Sequence, residues 1–178
     1  MNIIAIPYDG PEGCFYFRPD TTLNRDCENY YCPESVTSLS VTPAVYIRVD
    51  RAGKAIAAKF ARRYYSRIGY GLNITASSLI DENVPQSFCM ANSLDNTTYL
   101  SELFTPEAFP IKELNAETKA DITTETASLL AYIDKKIEEI TPSISVRTGD
   151  YIVFELSPTR SLGPAAEVRF MNLLFSVK

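Results

Sequence analysis

Histidine is missing from all 178 positions of this chain, and the absence removes a whole class of chemistry. Imidazole is the usual base in nucleophilic catalysis by serine or cysteine, so a Ser-His or Cys-His pair is excluded. Glycine is scarce as well. The seven glycines nowhere form GxGxxG or GxxxxGKS/T, so neither a dinucleotide loop nor a P-loop can cradle phosphates. No apolar run approaches the ~18 to 20 residues that span a bilayer. The opening MNIIAIPYDGP has neither a basic start nor an apolar stretch of signal-peptide length. Lys and Arg are scattered except at the pairs Arg62-Arg63 and Lys135-Lys136, and the net charge is −5, so no basic stripe exists to neutralise phosphates. These absences predict a cytoplasmic protein with neither nucleic-acid nor membrane partners.

Four cysteines are present, Cys14, Cys27, Cys32 and Cys89. The loose Cys27-x4-Cys32 spacing and the lack of histidine argue for free thiols over a zinc site. The sequons at Asn73 and Asn96 would matter only in a secreted protein. A chain 46% hydrophobic and 22% charged can bury a core without staples and fits one domain over 1–178.

NIIAI and CFYFR read as short strands, and residues 20–40 as loop. In AVYIRVD, Val45, Ile47 and Val49 alternate with Ala44, Tyr46, Arg48 and Asp50, which predicts a strand with two distinct faces. Ile56, Phe60, Tyr64 and Ile68 recur every four residues between basic ones and predict an amphipathic helix ended by Gly69. YGLNIT returns to strand. Leu130, Ile133, Ile137 and Ile140 predict a second helix between about 116 and 140. SISV, YIVFEL and EVRFMNLLFSVK close the chain as strands, with a turn at Gly149-Asp150. Strand-rich ends around two helices predict the α+β class. Asp81-Glu82, before Pro85, reads as a solvated pair.

Several collinear stretches resemble the fumarylacetoacetate hydrolase family in its small single-domain form. FYFRPDTTL is similar to FFMKPDTAL of that family, and GKAIAAKFARRYYSRIGYGLNITASSL to GKNIxxKFAxRYYxxIGxGIDFTARDL. SLD stands for GFD, and AYIDKKI with ISVRTGDYIVF for AYISxxI with LKxGDIIFTG. The resemblance implies a mixed, strongly bent β-roll, usually in a homodimer. It also implies hydrolase, isomerase or decarboxylase chemistry on keto acids, with Mg²⁺ or Mn²⁺ held by an E-x-E pair and one Asp. Hard cations want anionic oxygens, and a two-residue spacing on a strand aims both Glu side chains into one pocket.

Carried over residue by residue, the resemblance places Ala44 and Tyr46 at the E-x-E carboxylates and Asn73 at the third ligand. Ser77 and Ser78 replace an Arg-Asp pair, Asn92 a lysine, and Glu155 the glycine of a TGTP turn; Asp95 is kept, and Arg18 stands for a lysine. The loop that should carry a His-Glu dyad is cut to YDGPEGC, with Asp9 and Glu12 its carboxylates. Without the three ligand carboxylates nothing offsets the cost of stripping a divalent ion of water, so no metal cofactor is expected.

Three readings follow. The first is a catalytically inactive, metal-free homologue with a binding or regulatory role, Tyr46 filling the emptied cavity beside Arg18, Ala44, Asn73, Ser77, Asn92 and Asp95. The second is an enzyme with rewired chemistry on a small keto acid, using Arg18 as carboxylate anchor, Asp95 as base and Tyr46 as proton donor. The third is a sensor that binds a small carboxylate without turnover.

Overall fold

The structure is a computed structural model and describes residues 1–118, 125–163 and 165–178. A mixed, curled sheet dominates it. Its strands are β1 (Ile3–Ile6), β2 (Tyr16–Arg18), β3 (Leu23–Asn24), β4 (Leu39–Arg48), β5 (Ile68–Thr75), β6 (Thr98–Leu100), β7 (Tyr151–Glu155) and β8 (Arg160–Leu162). The order is β2-β1-β7-β4-β5-β6-β3, with β8 also on β4. The β1–β7 and β3–β6 pairs are parallel and the others antiparallel. A separate hairpin joins β9 (Glu167–Phe170) to β10 (Leu173–Ser176) through Met171, whose φ is 56°.

Strand β4 organises the sheet. One edge pairs with β5 over Ser40 to Ile47, while the other pairs with β8 over Leu39–Val41 and then with β7 over Ala44–Arg48. Proline lacks an N–H and is a poor central-strand residue. Pro43 is tolerated because it sits in the gap between β8 and β7, where it only accepts, from the Leu156 amide.

The predicted alternation holds along β4, but both faces are buried. Val45 and Ile47 join Ile4, Ile74, Ile152 and Phe154 in one cluster with Leu129, Ile133, Ile137 and Ile140 of helix α3 (Thr126–Ile140). Ala44 and Tyr46 face the concave side, with Ile3, Leu23 and Val153. Burial of one such aliphatic side chain stabilises by about 1.5–3 kcal/mol, so the α3 stripe is a main anchor of the fold.

The expected helix through Phe60 is corrected to a 3-10 helix, Ala58–Arg63, after which the chain turns into β5. Its cause is tertiary. The Ile56 amide donates to Thr141 Oγ1 and the Ala58 amide to Glu138 Oε1, so side chains on α3 and at its end take backbone donors that a longer helix would use, and the Tyr65 hydroxyl on Asp134 Oδ1 pins the segment to α3. Phe60 stays exposed under Lys59 and Arg63, and the buried residues are Ile56, Ala61, Tyr65 and Ile68. Helices α1 (Gln86–Ala91) and α2 (Ile111–Thr118) complete the set with α3. The predicted second helix therefore divides: 116–118 belong to α2, 126–140 form α3, and 119–124 lie outside the described residues. SISV forms only a bridge, between Val146 and Gly53, and β3, β6, β8 and helix α1 were not expected. All four cysteines are free. Among the described residues no helix is long and apolar enough to cross a membrane.

Candidate functional site

The concave face is built in rows, because directly paired residues of a sheet point to one side. Nearest the mouth, Ser161, Ser40 and Thr75 stand in register across β8, β4 and β5. The next row holds Thr42, Asn73 and Thr98, and the third Glu155, Ala44, Gly71 and Leu100. Deeper still come Val153, Tyr46 and Gly69. The face thus grades from hydroxyls and amides, through one carboxylate, to hydrocarbon.

A cavity of about 390 Å³ opens at the polar end. It is lined by Ser40, Thr42 and Thr75 from the rows, by Glu155, and by Tyr16 and Phe88 as an aromatic wall. The two rings meet edge to face with centroids 5.1 Å apart. Tyr16 Oη donates to Glu155 Oε1 at 2.7 Å, and Asn73 Nδ2 donates to the same oxygen at 3.2 Å. Burial, and then the negative charge of Glu155, hold the Tyr16 phenol well above its ordinary pKa, so it stays a donor. The other end of Asn73 is unsatisfied: Oδ1 is buried and has no partner.

Arg18 lies behind this wall, 1% exposed. Its Nε donates to Thr98 Oγ1 and its Nη1 to Asn92 Oδ1, both at 2.9 Å. Nη2 donates to the Ile74 carbonyl and Thr97 Oγ1, each at 2.9 Å. Burial pushes the guanidinium pKa down, and this net of neutral acceptors makes up for lost water. Asn92 also accepts from Thr75 Oγ1 at 2.8 Å, which ties the cluster to the cavity wall. Ser77 Oγ meets Ser38 Oγ at 3.0 Å, and Ser78 Oγ accepts from the Thr37 amide at 3.1 Å. The pair fastens the 3-10 turn Ser77–Leu79 to the start of β4.

Of the residues expected at the pocket, Ser77 and Asn92 line the cavity, while Asn73 and Arg18 are buried behind its wall. Ala44 stands in the boundary row opposite Glu155. Tyr46 does not fill the cavity, and that expectation is corrected. It sits one row deeper, against Gly69 and Tyr151, with its hydroxyl on the Ser101 carbonyl. Asp95 is exposed at a separate depression with Tyr30, Tyr31 and Pro33. Arg18, Tyr46 and Asp95 therefore do not form one constellation. The β4 positions that reach the mouth beside Asn73 are Ser40 and Thr42, four residues earlier on the same face. Their signal was the continuation of the alternation back through SVTPAV. Tyr16 carried no distinctive pattern. Glu155 was placed by the resemblance only as a replacement for the TGTP glycine, with no role in the pocket.

A divalent cation here would need anionic oxygens from this donor set. Ser40, Thr42 and Asn73 offer neutral oxygens, and the single carboxylate, Glu155, already accepts two hydrogen bonds on Oε1. Among the described residues no group of three His, Cys, Asp or Glu is placed to hold a metal ion. Mg²⁺ and Mn²⁺ sites draw on carboxylates, so these residues do not fit the ion.

Compared by sequence, the chain matches no protein-family model and no curated protein. Compared by structure, it superposes along 99% of its length on an Escherichia coli protein provisionally described as an isomerase, covering 91% of that chain at TM-score 0.75 and 15% identity. A Yersinia pestis protein provisionally placed in the fumarylacetoacetate hydrolase family gives 99% and 92% coverage, TM-score 0.73 and 12% identity. The fumarylpyruvate hydrolase of Pseudomonas aeruginosa, solved with Mn²⁺ and pyruvate, gives 99% and 87%, TM-score 0.70 and 11%. The chain has the fold of the fumarylacetoacetate hydrolase family. At such identities the likeness is one of fold, and function has to be argued from the site.

Proposed function

We propose that this chain is a metal-free, non-catalytic form of the fold that binds a small molecule at the mouth of the roll, in a regulatory or carrier role. One observation carries the reading: where a two-residue-spaced pair on β4 reaches the mouth, it is Ser40 and Thr42, with Thr42 directly opposite Asn73. These three groups are neutral, whereas keto-acid chemistry through a divalent ion needs anionic oxygens. The absence of imidazole from the whole chain supports it further. The reading includes the expected homodimer and cytoplasmic setting, the former open to light scattering.

Calorimetric titration with Mg²⁺ and Mn²⁺ tests the proposal. No saturable heat is expected up to millimolar ion, and no turnover of acylpyruvates, oxaloacetate or fumarylacetoacetate. Saturable binding in the micromolar range, or turnover abolished by chelator, would overturn it. The rewired enzyme finds no support in the geometry, since its anchor, base and proton donor touch different neighbours.

A further inference from the structure

The cavity has a charge of one sign. Among its lining residues Glu155 is the only charged side chain, and no Lys or Arg reaches it. Arg18, the nearby cation, does not line the cavity and gives its donors to Thr98, Asn92, Ile74 and Thr97. It offsets part of the field of Glu155 from behind the cavity wall, where it is 1% exposed.

The balance of donors and acceptors points the same way. A carboxylate has about four lone-pair sites. Two protein donors converge on Glu155 Oε1, whereas among the described residues Oε2 has no donor. Oε2 is not among the buried unpaired atoms, although Glu155 lines the cavity, so it is the oxygen that opens onto the space. Beneath it, the buried Asn73 Oδ1 is a second acceptor without a donor. The amide is oriented by Glu155, because turning it over would set two acceptor oxygens face to face. Tyr16 and Phe88 also line the cavity, and the face of an aromatic ring attracts a cation.

We infer that the mouth of the roll takes a small organic ammonium, its N–H donors on Glu155 Oε2 and its hydrocarbon body against Tyr16, Phe88 and Ile80. The inference rests on the binding role proposed above and reverses the expected ligand charge: a carboxylate would meet Glu155 with no cationic donor to hold it.

Butylamine, butanol and butyrate share one chain length and differ in the head group, so the three serve as probes on the intact protein. Titration at neutral pH, followed by calorimetry and by the ring resonances of Tyr16 and Phe88, should show butylammonium binding at least tenfold more tightly than butyrate. Glu155→Gln should remove at least tenfold of the amine affinity and leave butanol unchanged. Ser40→Lys, which sets a cation on the lining, should turn the preference toward butyrate. Equal or tighter binding of butyrate to the wild type overturns the inference and leaves the binding role standing. Unchanged amine affinity in Glu155→Gln does the same. If none of the three probes moves the Tyr16 or Phe88 signals, the mouth binds no small ligand of this size, and both readings fall. The wild-type comparison needs no variant to fold.

Discussion

Tyr16 and Glu155, 139 residues apart in sequence, meet through a 2.7 Å hydrogen bond at the mouth of the roll. The contact joins edge strand β2 to the end of β7 and holds the one carboxylate of the cavity in place. Hydrogen bonds to charged groups contribute about 1.5–3 kcal/mol. Tyr16→Phe keeps the ring against Phe88 and removes only the donor, so a loss of about 1.5–3 kcal/mol in urea denaturation is expected. A value near zero would mean that water replaces the phenol.

Arg18 serves four residues at once, and its removal should be felt as a lost hub. Arg18→Met preserves much of the side-chain volume but leaves Asn92, Thr97, Thr98 and the Ile74 carbonyl short of a donor, each unpaired buried group costing about 1–3 kcal/mol. A loss of several kcal/mol is the expected outcome of chemical denaturation. Arg18→Lys should rescue little, since one ammonium cannot reproduce the guanidinium fork.

Gly69 and Tyr46 are coupled by space. A Cβ on Gly69 would run into the Tyr46 ring, so Gly69→Ala should cost about 1–3 kcal/mol by overpacking. Tyr46→Leu should absorb part of that cost, giving a double-mutant cycle that departs from additivity. Additive losses would show that the two residues do not share this contact.

The register of β4 can be tested by charge. Ser40→Glu, Thr42→Glu and Asn73→Asp combined set three carboxylates around the mouth, and saturable Mn²⁺ binding absent from the wild type is expected by calorimetry. Ala44→Glu with Tyr46→Glu should bind no ion and should unfold the chain, since it buries two charges toward hydrocarbon. Mn²⁺ binding by the second variant would contradict the rows described here.

On helix α3, Glu139 accepts from Lys136 Nζ at 2.7 Å, with Lys135 Nζ at 3.6 Å. Burial pushes the carboxyl pKa up, but Lys136, the Gly13 amide and Lys135 outweigh it and hold it below its ordinary 4.5. A depressed folded-state pKa means stability fully present above about 4.5 and lost as pH falls through the folded value. Glu139→Gln should therefore lower the melting temperature at pH 7, where that contribution is fully present, and flatten part of its decline below pH 4.5.

Much of the scaffold was open to reading in one dimension. The α3 stripe and the alternation of β4 are periodic, and period is a local property that tertiary structure only has to accept. Phe60 shows the limit: its four-residue spacing was as regular as that of Ile133 and Ile137, yet partners on α3 drew the backbone into a tighter turn and left the ring outside.

By itself the sequence determined what this protein lacks, namely imidazole, a phosphate-binding glycine loop and paired carboxylates on β4, along with which face of that strand each residue takes. Depth along the face was decided only in three dimensions. A strand pattern of period two is unchanged by a slide of four residues, so alternation alone could not say whether Ser40 and Thr42 or Ala44 and Tyr46 stand at the mouth. That choice was made by pairing with β5 and β7, which sets Thr42 beside Asn73 and brings Tyr16 to Glu155 across most of the chain.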